Sequence, residues 1–340
     1  MSDKNHRQTA PQQAEGEPRP RRVTDLIDHI RVSADKLEGD QTSRGDLKIL
    51  SRTLRELQYA FKVFAPYRST RKVTIFGSAR TSPDQPIYHQ AVAFGQAMAA
   101  RDWLVVTGAA SGIMEAGHVG AGRDRSMGLN IMLPFEQSAN SVIAGDHKLV
   151  HMKYFFTRKL MFVKECDAVV LFPGGFGTLD EGLEVLTLLQ TGKRDMVPVV
   201  LVDAPGGTFW QHWHQFVVEQ LWAGDMIAKE DFSLYRITDC WQEAVNEVLG
   251  FYRVYHSMRY VKGQLVLRLN QPLPTTLVDQ INRRFADILS DGCFVQKEAL
   301  RDEKDEPKLA HLPRLVFQFN RRSLGRLRQL IDVINERPAA

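Results

Sequence analysis

Between residues 72 and 250, short runs of β-branched and other apolar residues alternate with longer helical segments. The predicted strands are 73–76, 104–106, 129–133, 168–172 and 197–202. Strands that are apolar on both faces and separated by helices indicate a parallel sheet that helices cover on both sides. We therefore predict an α/β domain over residues 71–250, built on a doubly wound parallel sheet.

The segments that precede this domain differ from it in composition. Residues 1–22 are rich in Pro, Gln and charged residues and contain almost no aliphatic or aromatic side chains, so we predict a disordered tail. In residues 23–70, apolar side chains recur at three- and four-residue steps from Leu26 to Phe61, which predicts two amphipathic helices. Two interpretations of these helices are open: a brace on the core, or a surface for a partner or a second copy of the chain.

A smaller unit follows at residues 251–340. Predicted strands lie at 261–269, 294–298 and 315–319, and predicted helices at 275–289 and 323–334. This β-α-β-β-α order favours a small α+β domain, with helices packed on an antiparallel sheet. A regulatory role is one interpretation of this domain.

Composition narrows the class of protein further. The 340 residues include 44 Lys and Arg and 40 Asp and Glu, and a net charge of +4 is ordinary for a soluble globular chain. Cys166, Cys240 and Cys293 lie far apart and form no CxxC pair, which argues against structural zinc and against a secreted disulfide framework. No apolar run approaches the roughly 18 residues that a membrane span requires. We therefore expect a cytoplasmic protein with neither a membrane segment nor a metal site.

Several predicted strands end directly in glycine-containing turns. These turns are 77–80, 107–112 and 173–178. In an open parallel sheet, ligands bind at the carboxyl ends of the strands, where such turns come together. We therefore expect Gly77 and Ser78 to lie at a ligand site together with the two later turns.

The segment LFPGGFGTLDEGLEVL, from Leu171 to Leu186, is the most informative in the chain. A buried strand runs into Pro173, the glycines let the backbone approach a ligand closely, and Thr178 begins a helix whose free N–H groups favour an anion. The segment lacks the lysine of a P-loop, and no GxGxxG fingerprint accompanies the first strand. A mononucleotide or a sugar phosphate therefore fits better than a dinucleotide. The alternative is a tight strand-to-helix turn that binds nothing.

Two charged side chains belong to the same predicted region. Glu181 lies in the first turn of the helix, where it either complements the helix dipole or lies next to a bound sugar phosphate. Arg158 lies in a helix that leads into the strand at 168–172, where it either clamps a phosphate or ribose or is a solvated helix charge.

These residues resemble the LOG family, whose members were long mislabelled as lysine decarboxylases and share the motif PGGxGTxxE. The resemblance rests on the segments 76–80 (FGSAR) and 108–117, on the pair Arg158-Lys159, and above all on the segment 173–181 (PGGFGTLDE). It covers about residues 72–250 and implies a Rossmann-like fold, here with N-terminal helices and a small C-terminal α+β unit.

Members of the family resemble nucleoside 5′-monophosphate phosphoribohydrolases, which cleave the N-glycosidic bond and release a base and ribose 5-phosphate. The plant-type branch acts on cytokinin nucleotides, whereas bacterial relatives include AMP nucleosidases. The resemblance thus implies an AMP nucleosidase-like hydrolase, with a cytokinin riboside 5′-monophosphate phosphoribohydrolase as the alternative. It also implies a homodimer or a larger assembly of dimers.

Position by position, the resemblance assigns catalysis to Arg158 and Glu181. The substrate-binding residues that it assigns are Gly77, Ser78, Glu136, Lys159, Gly174, Gly175, Phe176, Gly177, Thr178 and Thr187. Among these, the segment from Gly175 to Thr178 would bind the phosphate, and Glu136, Lys159 and Thr187 would line the nucleotide pocket. The chain departs from the family at residues 108–112 (GAASG), where relatives usually carry a run of glycines.

The predicted chemistry needs what these residues supply. Breaking an N-glycosidic bond builds positive charge on the ribose ring, and a carboxylate beneath the anomeric carbon stabilises that charge and orients the attacking water. Glu181 suits this role. The phosphate lies far from the reacting bond, so its binding energy serves to fix the ribose over the carboxylate. The reaction needs no cofactor and no metal.

Two other functions make different demands on these residues. A pyridoxal-phosphate decarboxylase needs a Schiff-base lysine with a pyridinium partner, and neither Lys159 nor Lys164 has such a partner nearby in the sequence. A non-catalytic nucleotide sensor would use the same phosphate-binding loop. Arg158 and Glu181 favour the enzyme, because a sensor has less need of an acid facing the ribose.

The last thirty residues carry six arginines against Asp332 and Glu336. Five of the arginines are Arg314, Arg321, Arg322, Arg326 and Arg328. They form either an anion-binding surface for a regulatory nucleotide or RNA, or a solvated helix face.

Overall fold

The structure is a computed structural model that describes residues 21–132 and 139–336. It divides into two compact units, one that ends at Arg55 and one that begins at Glu56. The first unit contains helix α1 (Arg21–Gly39) and the first part of helix α2 (Arg44–Phe64). This confirms the two predicted helices. The predicted tail lies outside the described residues up to residue 20, whereas residues 21 and 22 already belong to α1, because arginine is a good helix former.

The second unit is built on a seven-stranded parallel sheet. Its strands are β1 (Lys72–Phe76), β2 (Leu104–Thr107), β3 (Ser126–Ile131), β4 (Leu149–Met152), β5 (Ala168–Leu171), β6 (Val199–Val202) and β7 (Arg236–Thr238). They lie in the order β4-β3-β2-β1-β5-β6-β7, and every neighbouring pair is parallel. The strand order reverses between β1 and β5, so the predicted doubly wound α/β fold is confirmed.

Helices cover both faces of this sheet. They are α3 (Pro86–Ala99), α4 (Ile113–Ala121), α5 (Phe155–Glu165), α6 (Phe176–Gln190), α7 (Phe209–Phe216) and α8 (Trp241–Phe251). One apolar cluster joins α3, α4 and α8 to side chains such as Ile75 and Val170. A second cluster, on the other face, joins α5 and α6 to side chains such as Val106 and Leu171. The central strands are buried on both faces, which is why they are continuous apolar runs in the sequence.

Two strands of the sheet were missed in the sequence. Strand β4 is four residues long and includes an exposed histidine, His151, while β7 is three residues long, carries Arg236 and is only partly buried. Both lie at the ends of the sheet, where burial and therefore apolar patterning are weakest.

The C-terminal part contains a four-stranded antiparallel sheet in the order β10-β11-β9-β8. Its elements are β8 (Tyr255–Val261), β9 (Gln264–Leu269), α9 (Thr275–Arg284), β10 (Leu289–Lys297), β11 (Arg314–Phe319) and α10 (Leu324–Asn335). The single strand predicted at 261–269 is wrong. Lys262 and Gly263 both have positive φ, 47° and 88°, and form the two-residue loop of a β8–β9 hairpin.

The C-terminal sheet and the parallel sheet share an apolar core. One cluster of buried side chains extends from Leu201 in β6 through Leu267 in β9 to Leu330 in α10. Residues 56–336 of the described chain therefore form a continuous hydrophobic interior.

The prediction that five C-terminal arginines form one surface is wrong. Arg314 and Arg328 are buried. The Arg314 guanidinium pairs with Glu303, with 3.0 Å between Nε and Oε2, and Arg328 pairs with Glu247 and Asp332. The carboxylate partners compensate the charge of the two guanidinium groups, which allows both arginines to lie in the interior.

In the described ranges, no helix is both long enough and apolar enough to cross a bilayer.

Candidate functional site

A cavity of about 620 Å³ opens at the carboxyl ends of the parallel strands, beside the point where the strand order reverses between β1 and β5. Its lining residues are Phe76, Gly77, Ser78, Ala79, Arg80, Gly108, Met114, Arg158, Phe162, Gly175, Phe176, Gly177, Thr178 and Glu181. The turns after β1, β2 and β5 contribute most of them. This is where a doubly wound sheet binds its ligands.

The three turns are held together by backbone contacts. The N–H of Ser78 donates to the carbonyl of Pro173 at 3.1 Å, and the N–H of Ile113 donates to the carbonyl of Ser78 at 3.0 Å. Gly174 makes this close approach possible, because a Cβ at this position would lie 2.2 Å from Oγ1 of Thr178 and 3.0 Å from the nitrogen of Ser78. The turns therefore form a single rigid wall of the cavity.

The helix α6 begins inside the cavity, with Gly175 as its N-cap residue. A Cβ added at Gly175 or at Gly177 would meet no atom within 4 Å, so both glycines face open space. The first N–H groups of a helix have no acceptor within the helix, and they carry the positive end of its dipole. The start of α6 is therefore suited to an anion such as a phosphate.

The helix begins at Phe176 and not at the predicted Thr178, so Glu181 lies in the second turn of α6 and not in the first. Its side chain is buried, with only 4% of the residue exposed. Burial raises its pKa to about 7, although the positive charges of Lys159 and Arg158 act in the opposite direction. The distance from Arg158 Nη2 to Glu181 Oε1 is 4.0 Å. The cavity therefore contains a carboxyl group that changes charge near neutral pH.

Arg158 reaches the cavity from α5. Its guanidinium carbon lies 5.0 Å from the ring centre of Phe155 and 5.8 Å from that of Phe162. The start of α5 is fixed by the buried carboxylate of Glu56, which accepts hydrogen bonds at 2.8 Å from the backbone N–H of Lys153 and from the hydroxyl of Thr157. The aromatic rings and this anchor hold the guanidinium beside Glu181.

A buried polar network lies behind the turn that follows β2. Nε2 of His118 donates to the carbonyl of Met127 at 3.0 Å, and the side-chain amide of Asn140 lies 3.2 Å from Nδ1. The same amide donates to the carbonyl of Ala110 at 3.1 Å. Burial lowers the pKa of His118 to about 4, so this histidine is neutral at neutral pH. The network fixes the turn that brings Gly108 to the cavity.

The structure brings most of the predicted site residues together. Eight of them line the cavity: Gly77, Ser78, Arg158, Gly175, Phe176, Gly177, Thr178 and Glu181. Gly174 lies beneath the loop and packs against Thr178. Glu136 lies outside the described residues.

Two predicted pocket residues are not brought into this cavity. The ammonium of Lys159 lies 2.9 Å from Asp180 Oδ1 and 2.5 Å from Glu184 Oε2, on the flank of α6. Burial opposes the charged form of Lys159, but its hydrogen bonds to Glu184 and Asp180 outweigh this and raise its pKa. Thr187 is exposed and donates its hydroxyl proton to the carbonyl of Leu183 within the same helix.

Several residues around the cavity were not among the predicted site residues. Arg80 and Met114 lie in the segments that carry the family resemblance. Their positions after β1 and at the start of α4 could therefore have identified them as site residues. Phe162 is one helical turn after Arg158, which places both on one face of α5. The role of Glu56 could not be predicted from the sequence, because its hydrogen-bond partners are about 100 residues away along the chain.

Within the described residues, no three His, Cys, Asp or Glu side chains come together in a group that could hold a metal ion. The cavity offers instead a helix N-terminus, a guanidinium and a buried carboxyl group.

The fold and this cavity define a class: a doubly wound α/β protein with a candidate phosphate-binding site where the strand order reverses. A family model described as "possible lysine decarboxylase" matches residues 107–248. Residues 107–248 are therefore similar to this family, the LOG family.

Curated relatives match a part of the chain of similar length. A probable cytokinin riboside 5′-monophosphate phosphoribohydrolase from Oryza sativa subsp. japonica is 30% identical over 141 residues, which cover 40% of this chain and 56% of the relative. A cytokinin riboside 5′-monophosphate phosphoribohydrolase from Arabidopsis thaliana is also 30% identical over 141 residues, which cover 40% of this chain and 63% of the relative. The chain thus spans about three fifths of the length of these relatives.

Solved structures resemble part of the chain only loosely. The molybdenum cofactor carrier protein from Chlamydomonas reinhardtii is 19% identical, covers 53% of this chain and 98% of its own, and gives a TM-score of 0.37.

Proposed function

We propose that the protein is a hydrolase that cleaves the N-glycosidic bond of nucleoside 5′-monophosphates, releasing a free base and ribose 5-phosphate. The observation that carries this proposal is the placement of Glu181. This buried carboxyl group lies one helical turn from a glycine-lined helix N-terminus and beside the guanidinium of Arg158.

The spacing of these groups matches the substrate. Glu181 lies four residues after Gly177 and six after Gly175, which is about 6–9 Å along a helix axis at 1.5 Å per residue. A ribose spans a comparable distance between its 5′-phosphate and its anomeric carbon. A phosphate bound at the start of α6 would therefore place the sugar over the carboxylate.

The electrostatics support the same assignment of roles. In the reaction, the bond from C1′ to the base nitrogen breaks, and its electron pair leaves with the base, which takes up a proton. Water adds to C1′, and the proton that it loses balances the one that the base gains. Positive charge develops on the ribose in between, and the ionised form of Glu181 stabilises it in a partly dehydrated site. Arg158 is placed to neutralise the phosphate or to hold the ribose hydroxyls.

The proposal also concerns which base the substrate carries. The curated relatives are named for cytokinin riboside 5′-monophosphate, which favours this substrate over AMP. AMP remains the reference substrate, because it carries the same phosphate and ribose. A family label that speaks of lysine decarboxylation fits the cavity less well, since no lysine is among the described residues that line it.

We also propose that this unit forms a homodimer. Large apolar side chains are exposed on α5 and α6: Phe155, Phe156, Leu160, Phe176 and Leu183. Phe176 is 93% exposed although it lines the cavity. An apolar group of this size at the rim of a site is typical of a surface that a partner covers. Light scattering should report a dimer or a larger assembly, and a fully active monomer would contradict this part of the proposal.

The experiment that tests the function is a comparison of four compounds at equal concentration: cytokinin riboside 5′-monophosphate, AMP and their two parent nucleosides. Chromatography of the free base gives kcat/KM for each. We expect release from at least one monophosphate and at least 100-fold less from its nucleoside, because the phosphate positions the ribose. Binding of the monophosphates without base release would identify a nucleotide sensor and refute the hydrolase.

A further inference from the structure

A second cavity, of about 450 Å³, lies at the amino ends of the parallel strands, opposite the candidate site. Its lining includes Arg71, Asp167 and Val197, which precede strands β1, β5 and β6. His256, in strand β8 of the C-terminal sheet, also lines it, and its carbonyl accepts a hydrogen bond from Arg71 at 3.2 Å. The cavity is therefore bounded by both sheets. Sites of roughly 300–1,000 Å³ between two parts of a protein commonly bind small molecules.

This second cavity is separate from the cavity at the candidate site. The four residues of β5 lie between Asp167, which lines the second cavity, and the turn at 173–178, which lines the first. Four residues of a parallel strand span about 13 Å at 3.3 Å per residue. No described residue lines both cavities. A ligand in one cavity therefore leaves the other open.

The second cavity has more positive than negative side chains in its lining. Its four cations and two acids are Arg71, Lys164, Lys193, Arg194, Asp167 and Asp195. Two of the cations are paired, because Arg71 Nη1 lies 3.3 Å from Asp167 Oδ1 and Lys164 contacts Glu165. Within residues 21–132 and 139–336, neither Lys193 nor Arg194 makes an ion pair with a carboxylate. Two positive charges at this cavity are therefore left without a negative partner.

The two unpaired cations are held in place by the loop that follows α6. The backbone N–H groups of Lys193 and Arg194 both donate to the carbonyl of Leu188, at 2.9 and 3.3 Å. The guanidinium of Arg194 donates to the carbonyl of Cys166, which is neutral. Its Nε is buried and has no acceptor among the described residues. A guanidinium that is partly removed from water and keeps its charge favours an anion beside it.

A neighbouring histidine lies in the same positive field. Burial, together with the charges of Arg71 and Arg268, lowers the pKa of His256 to about 4. His256 is therefore neutral at pH 7, and its Nδ1 lies 2.8 Å from the hydroxyl oxygen of Ser257. Both residues line the cavity. The lining thus combines positive charge with neutral polar groups that can form hydrogen bonds to hydroxyl groups.

We propose that the second cavity binds a phosphate monoester of a small polar molecule, such as a sugar phosphate. Lys193 and Arg194 hold the phosphate, because a phosphate monoester with a second pKa of about 6 carries nearly two negative charges at pH 7. The carboxyl group of Asp195 and the neutral pair His256 and Ser257 bind the hydroxyl groups. A bare phosphate ion would leave most of the 450 Å³ to water. The proposal does not depend on the reaction at the candidate site.

Hydrogen–deuterium exchange tests the proposal, because it reports on each segment of the chain separately. The full-length protein is titrated with ribose 5-phosphate at constant ionic strength, and exchange is followed in the segments 191–197 and 252–258. We expect exchange in both segments to slow at least threefold at saturation. The segment 173–178 belongs to the candidate site and is followed independently. The result at the second cavity therefore stands whether or not the proposed hydrolase is correct.

Two variants assign the protection to the unpaired cations, with segment 252–258 as the readout. Lys193→Glu should raise the concentration of ribose 5-phosphate that gives half-maximal protection at least fivefold, because it reverses a charge in the lining. Arg194→Gln should have the same effect, and Lys193→Glu alone decides if Arg194→Gln does not fold. Lys229→Glu is the matched control, because exposed Lys229 lines neither cavity, and it should behave like the wild type.

Inorganic phosphate distinguishes a sugar phosphate from a simple anion. We expect it to protect segment 252–258 only at concentrations at least threefold above those of ribose 5-phosphate, and equal concentrations would contradict the proposed ligand class. The inference is overturned if ribose 5-phosphate gives no protection of this segment at about 20 mM, which would saturate a site with a Kd of 1 mM. Protection of Lys193→Glu equal to that of the wild type would also overturn it.

Discussion

The guanidinium of Arg158 lies 4.0 Å from the carboxyl group of Glu181, measured from Nη2 to Oε1. The two side chains come from adjacent helices, α5 and α6, and both line the cavity. Burial raises the pKa of Glu181 to about 7 in spite of this positive neighbour. The helix start, the guanidinium and the carboxyl group together provide separate places for a phosphate and for a developing positive charge.

We predict that Glu181→Gln abolishes base release while nucleotide binding persists. The substitution removes the negative charge that stabilises the ribose and nearly preserves the shape of the side chain. The expected loss in kcat is at least 100-fold, about 2.7 kcal/mol of barrier. Glu184→Gln is the matched control, because Glu184 lies one turn further on and pairs with Lys159 outside the cavity lining. Activity of Glu181→Gln within tenfold of the wild type would remove Glu181 from the mechanism.

The reaction should depend on pH through the same carboxyl group. The pKa of Glu181 is raised to about 7, and only its ionised form stabilises positive charge, so kcat/KM should rise from pH 5.5, reach half of its maximum near pH 7 and level off above about pH 8. The phosphate of the substrate also titrates, with a pKa of about 6. Residual activity of Glu181→Gln isolates that second titration. A wild-type profile that is flat between pH 6 and 8 would contradict the prediction.

The adjacent cations Arg158 and Lys159 should behave differently. Arg158→Ala removes a guanidinium that lines the cavity and should lower kcat/KM at least tenfold at every pH. Lys159→Ala leaves the cavity lining intact but removes a positive charge that lowers the pKa of Glu181. We therefore expect its pH profile to shift upward, with a plateau at high pH close to that of the wild type. Equal losses at all pH values for both variants would show that Lys159 acts in the site directly.

Alanine substitutions at the adjacent glycines Gly174 and Gly175 should differ in their effect on stability. The Cβ introduced by Gly174→Ala would lie 2.2 Å from Oγ1 of Thr178, and the resulting strain should cost about 1–3 kcal/mol in the free energy of unfolding. The Cβ of Gly175→Ala meets no atom within 4 Å, so its stability should stay within about 0.5 kcal/mol of the wild type. Urea unfolding of both variants measures the difference, and equal stabilities would contradict the described packing of the loop.

Much of the fold was predictable because strands that are buried on both faces consist of consecutive apolar residues. Strands β1, β2, β5 and β6 are buried on both faces, and their apolar runs located them within a few residues. The edge strand β7 carries little apolar sequence and was missed. The β8–β9 hairpin was missed because its loop has only two residues, Lys262 and Gly263, inside an otherwise continuous strand pattern.

The candidate site was predictable where one local segment builds it. Gly175, Gly177, Thr178 and Glu181 all belong to the start of α6, so their sequence spacing fixes their geometry. Pairing between residues that are far apart in the sequence produces no comparable local pattern. Glu303 is buried with Arg314, and Glu56 is buried against α5, but the sequence shows only charged residues at these positions. The five C-terminal arginines were grouped in error for this reason.

The most direct test of the central claim is a product balance. Wild-type protein is incubated with cytokinin riboside 5′-monophosphate or AMP, and free base and ribose 5-phosphate are quantified from the same reaction, with Glu181→Gln at equal concentration beside it. We predict that the wild type forms base and ribose 5-phosphate in equal amounts, and that Glu181→Gln forms at least 100-fold less of both. Failure of the folded wild type to release base from either monophosphate, or equal release by Glu181→Gln, would contradict the account.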